Sequence, residues 1–420
     1  MDEVHDLTIR ALTYGGDALG RLEDGRAVFV PFALPGERVR VRIVEQKRGH
    51  ARAALVDVLE ASSLRIEPRC IHFGICGGCH YQHLPYEAQL EAKREILRDQ
   101  LRRIGGIESP PVRDAVPSPS PWNYRNHVQF HLAGDGRLGY FRHPLAPPEG
   151  VFPISECHLP EPALNELWPQ LEFEPGVELE RVSLRAGDET MLVLEAGSPE
   201  PPEMEAEAGI SVVHLYEENP VVLAGEGSIM IDVLGRGFQV SAASFFQVNT
   251  AMAARMVEHV LERLPASAGT LLDLYCGVGL FSAFAAPRCE RLIGVESSAS
   301  ACEDFAANLD EFDHVELYEG TAEQVLPHLE VTADVVIADP PRAGLDRRVI
   351  DALLAMKPHS IIYVSCDPST LARDARRLID GGYELVEVTP FDLFPQTFHI
   401  ESISVFASTT STQTAGARRR

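Results

Sequence analysis

Lysine is almost absent from this chain: of its 37 basic residues only Lys47, Lys93 and Lys357 are lysine. Arginine therefore carries the positive charge, and its planar guanidinium suits bidentate phosphate contacts and base stacking better than a compact ammonium does. No stretch approaches the roughly 18 apolar residues that a membrane helix requires. The amino-terminal MDEVHDLTIR is acidic and lacks an apolar signal region, which predicts a cytoplasmic protein with no membrane partner. Eight cysteines in 420 residues do not make a secreted disulfide scaffold, and their clustering points to reduced thiols used for metal or chemistry.

What is present is unevenly distributed. The formal net charge is -25, yet sixteen acidic residues against only Arg181 and Arg185 fall between Glu161 and Glu226, a pattern of a solvated face. By contrast RVRVRIVEQKRGHAR, residues 38–52, is a local basic stripe in which alternating Arg38, Arg40 and Arg42 would share one side of a strand. Residues 1–60 read as short alternating strands broken by turns, the spacing of a small barrel that binds oligonucleotides on one face. Residues 61–235 hold a cysteine cluster, a helical stretch YEAQLEAKREILRDQLRRIGG, proline-rich loops and the acidic segment. From 236 to 408, TLLDLYC, RLIGVES, HVELYEG, ADVVIADPP and SIIYVSC are short apolar strands, each followed by a helical stretch. That alternation predicts a doubly wound α/β sheet, with one of the last two strands antiparallel because no helix joins them. Residues 409–420 read as a flexible tail.

Ligands of such sheets bind at the carboxyl ends of the strands. DLYCGVGLFS places Gly277 and Gly279 in the turn after the first strand, Glu296 ends the next and Asp339 ends the fourth. Three polar features at strand ends point to a nucleoside cofactor, a carboxylate accepting from both ribose hydroxyls. Cys366, in IIYVSCDPSTLARD, fits both a buried thiol and a presented nucleophile. CIHFGICGGC sets Cys70, Cys76 and Cys79 at metal-ligand spacing, with Cys157 as the natural fourth thiolate; spacing does not separate an iron–sulfur cluster from zinc.

Together, CIHFGICGGC with Cys157, SFFQVN, LDLYCGVG, GVES, DPPRAG, VSCDPSTLARD and HIES resemble the RNA uracil-5-methyltransferase family, S-adenosylmethionine-dependent enzymes that make 5-methyluridine. The resemblance runs from an amino-terminal TRAM-like, OB-like β-barrel through a central α+β domain to about residue 408. Its four cysteines match the bacterial branch that holds a 4Fe-4S cluster and methylates 23S rRNA, with tRNA the main alternative substrate. It implies that Gln247, Tyr275, Glu296 and Asp339 hold the methyl donor, that Cys366 is the nucleophile and Glu401 the general base, and that Phe245 or Phe246 lies near the target base. Arg373 and the helix opened by Pro368 are the sequence-local sources of positive potential for the thiol, opposed by Asp367. Leu280 and Thr321 stand where that branch commonly has asparagine. The protein is expected to act as a monomer. Two rivals stay open: an exocyclic-amine methyltransferase built on the Asp-Pro-Pro stretch, and a non-catalytic RNA-binding or assembly protein.

Overall fold

The computed structural model describes residues 4–204 and 209–409; most of the expected tail lies outside them. Residues up to Glu60 form one six-stranded sheet, in spatial order Val4–Thr8, Arg38–Gln46, His50–Glu60, Ala27–Val30, Ala18–Arg21 and Ala11–Leu12. Strand alternation sorts its side chains: Val39 and Val41 are buried while Arg38, Arg40 and Arg42 point outward. Hydrogen-bonded pairing ends at the first and last of these strands, so the expected barrel is a curled sheet. Its ends approach through side chains, with Leu7 and Ile9 packed beside Gly20.

The central region builds a seven-stranded sheet in the order Asn219–Ala224, Ser211–Tyr216, Thr190–Glu195, Arg181–Ala186, His127–Leu132, Leu138–Phe141 and Val151–Pro153. The acidic segment supplies part of its apolar core through Val182, Leu184 and Leu192, while Glu172, Glu174, Glu178 and Glu180 are exposed, the solvated face expected of it. Helix Tyr86–Arg103 turns Ile96, Leu97 and Leu101 into a core shared with Leu371, Ala372 and Ala375 of helix Pro368–Asp380.

The carboxyl-terminal sheet runs Val315–Glu319, Cys289–Glu296, Ala268–Leu274, Val335–Ala338, Ser360–Ser365, Glu401–Ser408 and Tyr383–Phe391. Its first five strands are parallel. The inner strands Val335–Ala338 and Ser360–Ser365 are buried along nearly their whole length because both faces are covered, whereas the edge strand Val315–Glu319 is largely exposed. Glu401–Ser408 is antiparallel to both neighbours, as the missing helix predicts. Strand order reverses beside Ala268–Leu274, which opens a crevice at the carboxyl ends of the strands. No helix among the described residues is long and apolar enough to cross a membrane.

Candidate active site

A cavity of about 1370 Å³ occupies that crevice, and Gln247, Tyr275, Glu296, Asp339, Cys366 and Glu401 all line it. The turn after Ala268–Leu274 is tightly wound, with Tyr275, Gly277 and Gly279 at φ of 60, 54 and 89°. Glycine is needed at 279 for a second reason, because a Cβ there would lie 2.4 Å from Leu309 Cδ1. The winding aims the Gly277 N–H at Glu296 Oε2 (2.9 Å), while the Ser297 and Ser298 N–H groups donate to Oε1 (2.6 and 2.9 Å). Three backbone donors hold this carboxylate in place, and its remaining lone pairs are free to accept hydroxyls.

Burial, then the facing Glu296, pushes the Asp339 carboxyl up to about 7. Asp273 behaves alike: burial first, with Asp339 and Glu296 behind it, raises its carboxyl to about 7 against the 2.6 Å hydrogen bond donated by Ser282. Glu296 and Asp339 thus line the cavity, and both also act on the buried Asp273. The Thr321 hydroxyl, also on the cavity, is buried without a hydrogen-bond partner. An orphaned hydroxyl beside mutually repelling carboxyls fits a polar nucleoside ligand that carries positive charge.

The antiparallel strand explains how two residues 35 positions apart in sequence meet. Pairing ends with Ser365 opposite Ser402, so Cys366 and Glu401 are the next residues at the same end of the two strands, and both line the cavity. Burial, followed by Glu401 and Asp339, pushes the Cys366 thiol up to about 12, with Arg342 opposing. Glu401 is itself held well above the usual carboxylate range by burial and Asp339, against Arg342 and Lys93. Arg373, an expected cation for the thiol, instead binds Asp374 (2.8 Å) and the carbonyl of Ala343 (2.8 Å). The helix start is likewise occupied, because Asp367 accepts from the N–H groups of Ser369 and Thr370.

Phe245 is 69% exposed on the cavity rim, whereas Phe246 is 4% exposed and packs against Phe238. Only Phe245 is free to meet a ligand's face. Leu280 is buried along the same cavity. Sequence reasoning missed Arg125, Phe394 and His399, which line the cavity and pack together: the Arg125 guanidinium lies 5.5 Å over the Phe394 ring, and that ring meets His399 edge-on. It also missed Lys93, buried in an ion pair with Asp392 (2.5 Å) and bonded to the carbonyl of Phe394 (3.0 Å). The scarcity of lysine was a signal for that residue; nothing comparable marked Arg125.

Cys70, Cys76, Cys79 and Cys157 surround a second cavity of about 210 Å³, far more than the roughly 10–15 Å³ that a single water needs. Burial raises all four thiols, to about 11 for Cys76. Glycine is required at 77, where a Cβ would sit 2.9 Å from the Phe141 carbonyl oxygen. Among the described residues no three His, Cys, Asp or Glu side chains converge on a single-ion site. The four thiols line this pocket together with His72, Glu156 and His158. Arg125, Gln129 and Val248 line both cavities.

The basic stripe is not a free cationic face. Arg40 is paired with Asp6 (2.8 Å), and Arg38 with Glu60 (2.8 Å) and Asp6 (3.8 Å). The carboxylates come from neighbouring strands, which linear charge counting does not see.

The comparisons with known proteins agree with this geometry. Residues 229–409 match the tRNA (uracil-5-)-methyltransferase family model and residues 3–56 the TRAM domain. An uncharacterised RNA methyltransferase of Aquifex aeolicus is 36% identical, and one of Thermosynechococcus vestitus is 33% identical, each match covering 96% of this chain and 98% of the relative. The crystal structure of Pyrococcus abyssi tRNA (uracil-54, C5)-methyltransferase with S-adenosyl-L-homocysteine is 27% identical, with a TM-score of 0.75 over 97% of this chain and 100% of that one. With its TRAM domain, its doubly wound sheet and full-length relatives of this kind, the chain belongs to the RNA uracil-5-methyltransferase family.

Proposed function

We propose that this protein methylates carbon 5 of a specific uridine in 23S rRNA through a covalent adduct between Cys366 and carbon 6 of uracil. The observation that carries the mechanism is that Cys366 and Glu401, at the same end of paired strands, line one cavity with Gln247, Tyr275, Glu296 and Asp339. Those last four residues would hold S-adenosylmethionine, which supplies an electrophilic sulfonium methyl group. The Cys366 thiolate adds to carbon 6, and the electron pair of the 5,6 double bond moves to an enolate on the ring, making carbon 5 nucleophilic. Once carbon 5 is methylated, the Glu401 carboxylate takes its proton, the double bond re-forms, and the carbon–sulfur bond breaks to release the thiolate. Burial raises both groups above their ordinary range, and Arg342 is the adjacent cation that opposes the rise and favours their ionised forms. Phe245 at the rim stacks on the flipped base.

Cys70, Cys76, Cys79 and Cys157 would hold a 4Fe-4S cluster, with zinc as the alternative, in a structural or RNA-positioning role. The four-thiol cavity supports both this and the 23S rRNA substrate. A tRNA substrate is the second reading, supported by the likeness to the Pyrococcus abyssi enzyme. Nucleoside mass spectrometry of rRNA and tRNA from a deletion strain decides between them by which RNA loses 5-methyluridine. Anaerobically purified protein should contain about four iron and four acid-labile sulfide per chain, and stoichiometric zinc without sulfide would refute the cluster.

Two variants test the chemistry. Glu401→Gln keeps addition and methyl transfer but slows elimination, typically by about 10²- to 10⁴-fold. A denaturing gel should then show a protein–RNA band that carries methyl label. Cys366→Ala should give neither band nor product. Normal turnover by Glu401→Gln, or 5-methyluridine from Cys366→Ala, overturns the assigned role.

A further inference from the structure

The turn Thr13–Asp17 leaves the curled sheet and ends against the active site. Its own bonds are local: Thr13 N–H and Oγ1 both donate to the Asp17 carbonyl (2.9 and 2.7 Å), and the Asp17 carboxylate faces Arg52 (3.4 Å). Its outward contacts are not. Gly16 is buried so closely on the catalytic loop that a Cβ would meet Phe398 Cδ1 at 3.1 Å and His80 Cδ2 at 3.3 Å. The Tyr14 ring stands edge-on to Phe398, centroids 6.0 Å apart. Its hydroxyl donates to Asp367 Oδ2 at 2.9 Å, across 353 residues of sequence.

Asp367 is the residue after Cys366, and its two carboxylate oxygens are divided between two tasks. Oδ1 caps helix Pro368–Asp380 by accepting from Ser369 N (2.8 Å) and Thr370 N (3.1 Å), which leaves Oδ2 to Tyr14. The Ser365 hydroxyl bridges the Asp367 carbonyl (3.1 Å) and N–H (3.2 Å), so Cys366 sits at the apex of a turn whose far side is pinned by Asp367. We propose that Tyr14 is a positioning residue for the Cys366 nucleophile, acting through Asp367. The TRAM sheet thereby completes the active site in addition to any RNA it binds.

The same bond has an electrostatic side. Around the thiol, Glu401, Asp339 and Asp367 disfavour its ionisation and Arg342 favours it. Tyr14 faces Asp367, Arg342 and Cys366. A donor on Asp367 draws part of that carboxylate's charge away from the thiol, so removing the donor and removing the charge should act in opposite directions.

The proposal rests on Cys366 being the nucleophile, and the test separates the two. In Tyr14→Phe, which keeps the ring against Phe398, kcat should fall about tenfold, the scale of one hydrogen bond to a charged group, with KM for RNA within about twofold. Alkylation of Cys366 by iodoacetamide, read by mass spectrometry without RNA or methyl donor, should shift to higher pH. Asp367→Asn should shift it to lower pH, and adding Tyr14→Phe to Asp367→Asn should then change the profile little. Unchanged kcat and alkylation in Tyr14→Phe, an effect confined to KM, or equal shifts in both backgrounds would each overturn the proposal. A Tyr14→Phe alkylation shift with normal turnover would instead tell against Cys366 as nucleophile, as would a Cys366→Ala variant that still makes product.

Discussion

The two cavities of this protein share a wall at Arg125, Gln129 and Val248 but are built in opposite ways. The cysteine cavity takes three of its four thiols from ten consecutive residues, 70–79. The catalytic cavity draws Gln247, Tyr275, Glu296, Asp339, Cys366 and Glu401 from the ends of separate elements. A site assembled locally depends on its loop, whereas a site assembled from strand ends depends on the whole sheet and on whatever braces its last loop. That brace comes from the cysteine side. The N–H groups of His80 and Tyr81, directly after Cys79, both donate to the Gln396 carbonyl (2.8 and 3.0 Å), and Gln89 exchanges two hydrogen bonds with Gln396 (3.0 Å each). Gln396, in a left-handed conformation (φ 69°), lies on the loop that leads to Glu401.

Damage should therefore pass one way. Cys366→Ala should abolish turnover while leaving thermal stability, and the iron content if the proposed cluster is present, near wild type. Cys79→Ser should lower the melting temperature, depress turnover because the donors to Gln396 move with it, and remove the metal if the four thiols hold one. Equal turnover in Cys79→Ser and wild type, with any metal gone, would show that the two cavities are independent.

Adjacent phenylalanines sharpen the contrast between scaffold and surface within the catalytic cavity. Phe246→Ala should cost about 3–5 kcal/mol of stability, the usual loss for a buried phenylalanine. Phe245→Ala should leave stability within about 0.5 kcal/mol and weaken the RNA complex by about 1–3 kcal/mol, the worth of one stacked base. Chemical denaturation and RNA titration read the two effects. A loss of stability in Phe245→Ala would place that ring in the core.

The raised carboxyls make a pH-dependent difference. Asp273 and Asp339 have folded-state pKa values of about 7, raised above their unfolded value of 3.8. Groups raised in this way favour the folded state below the unfolded pKa, and that contribution is lost as pH rises through the folded one. Asp273→Asn, which keeps an acceptor for Ser282, should melt close to wild type near pH 3 and increasingly above it as pH rises toward 8. A melting-temperature gap that does not change with pH would mean that Asp273 ionises freely.

Legibility in the sequence followed this same division. The parallel strands were plain as apolar runs, and the turn glycines, Glu296 and Asp339 at their ends followed from the sheet. Cys366 was ambiguous in isolation; its partner Glu401 came from a family resemblance, and the physical reason that they meet, an antiparallel insertion, is a property of register. Arg125 and Tyr14 were invisible because each acts on residues more than 250 positions away, through contacts that no local pattern encodes, and Lys93 was marked only by its rarity as a lysine, not by its distant partner. The stripe Arg38–Arg42 was misread for the same reason in reverse: its outward face was correct, but Asp6 and Glu60 arrive from other strands to pair with it.

The smallest effect is expected at Thr321, where the sequence departs from the asparagine of the ribosomal-RNA branch. Its position is the cap of the short helix Ala322–Val325, yet its side chain makes no cap hydrogen bond, and its buried hydroxyl has no partner. An unpaired buried hydroxyl costs about 1–3 kcal/mol, and that cost is relieved if a ligand accepts from it or donates to it. Thr321→Val removes the hydroxyl at nearly constant shape, so the free protein should melt at the same temperature or slightly higher. Binding of S-adenosyl-L-homocysteine should weaken by about three- to tenfold, the worth of one neutral hydrogen bond. The opposite signs are diagnostic: a merely structural hydroxyl would lower stability and leave affinity alone. Wild-type affinity in Thr321→Val, measured by calorimetry, would remove Thr321 from the donor site and leave its buried hydroxyl without a function.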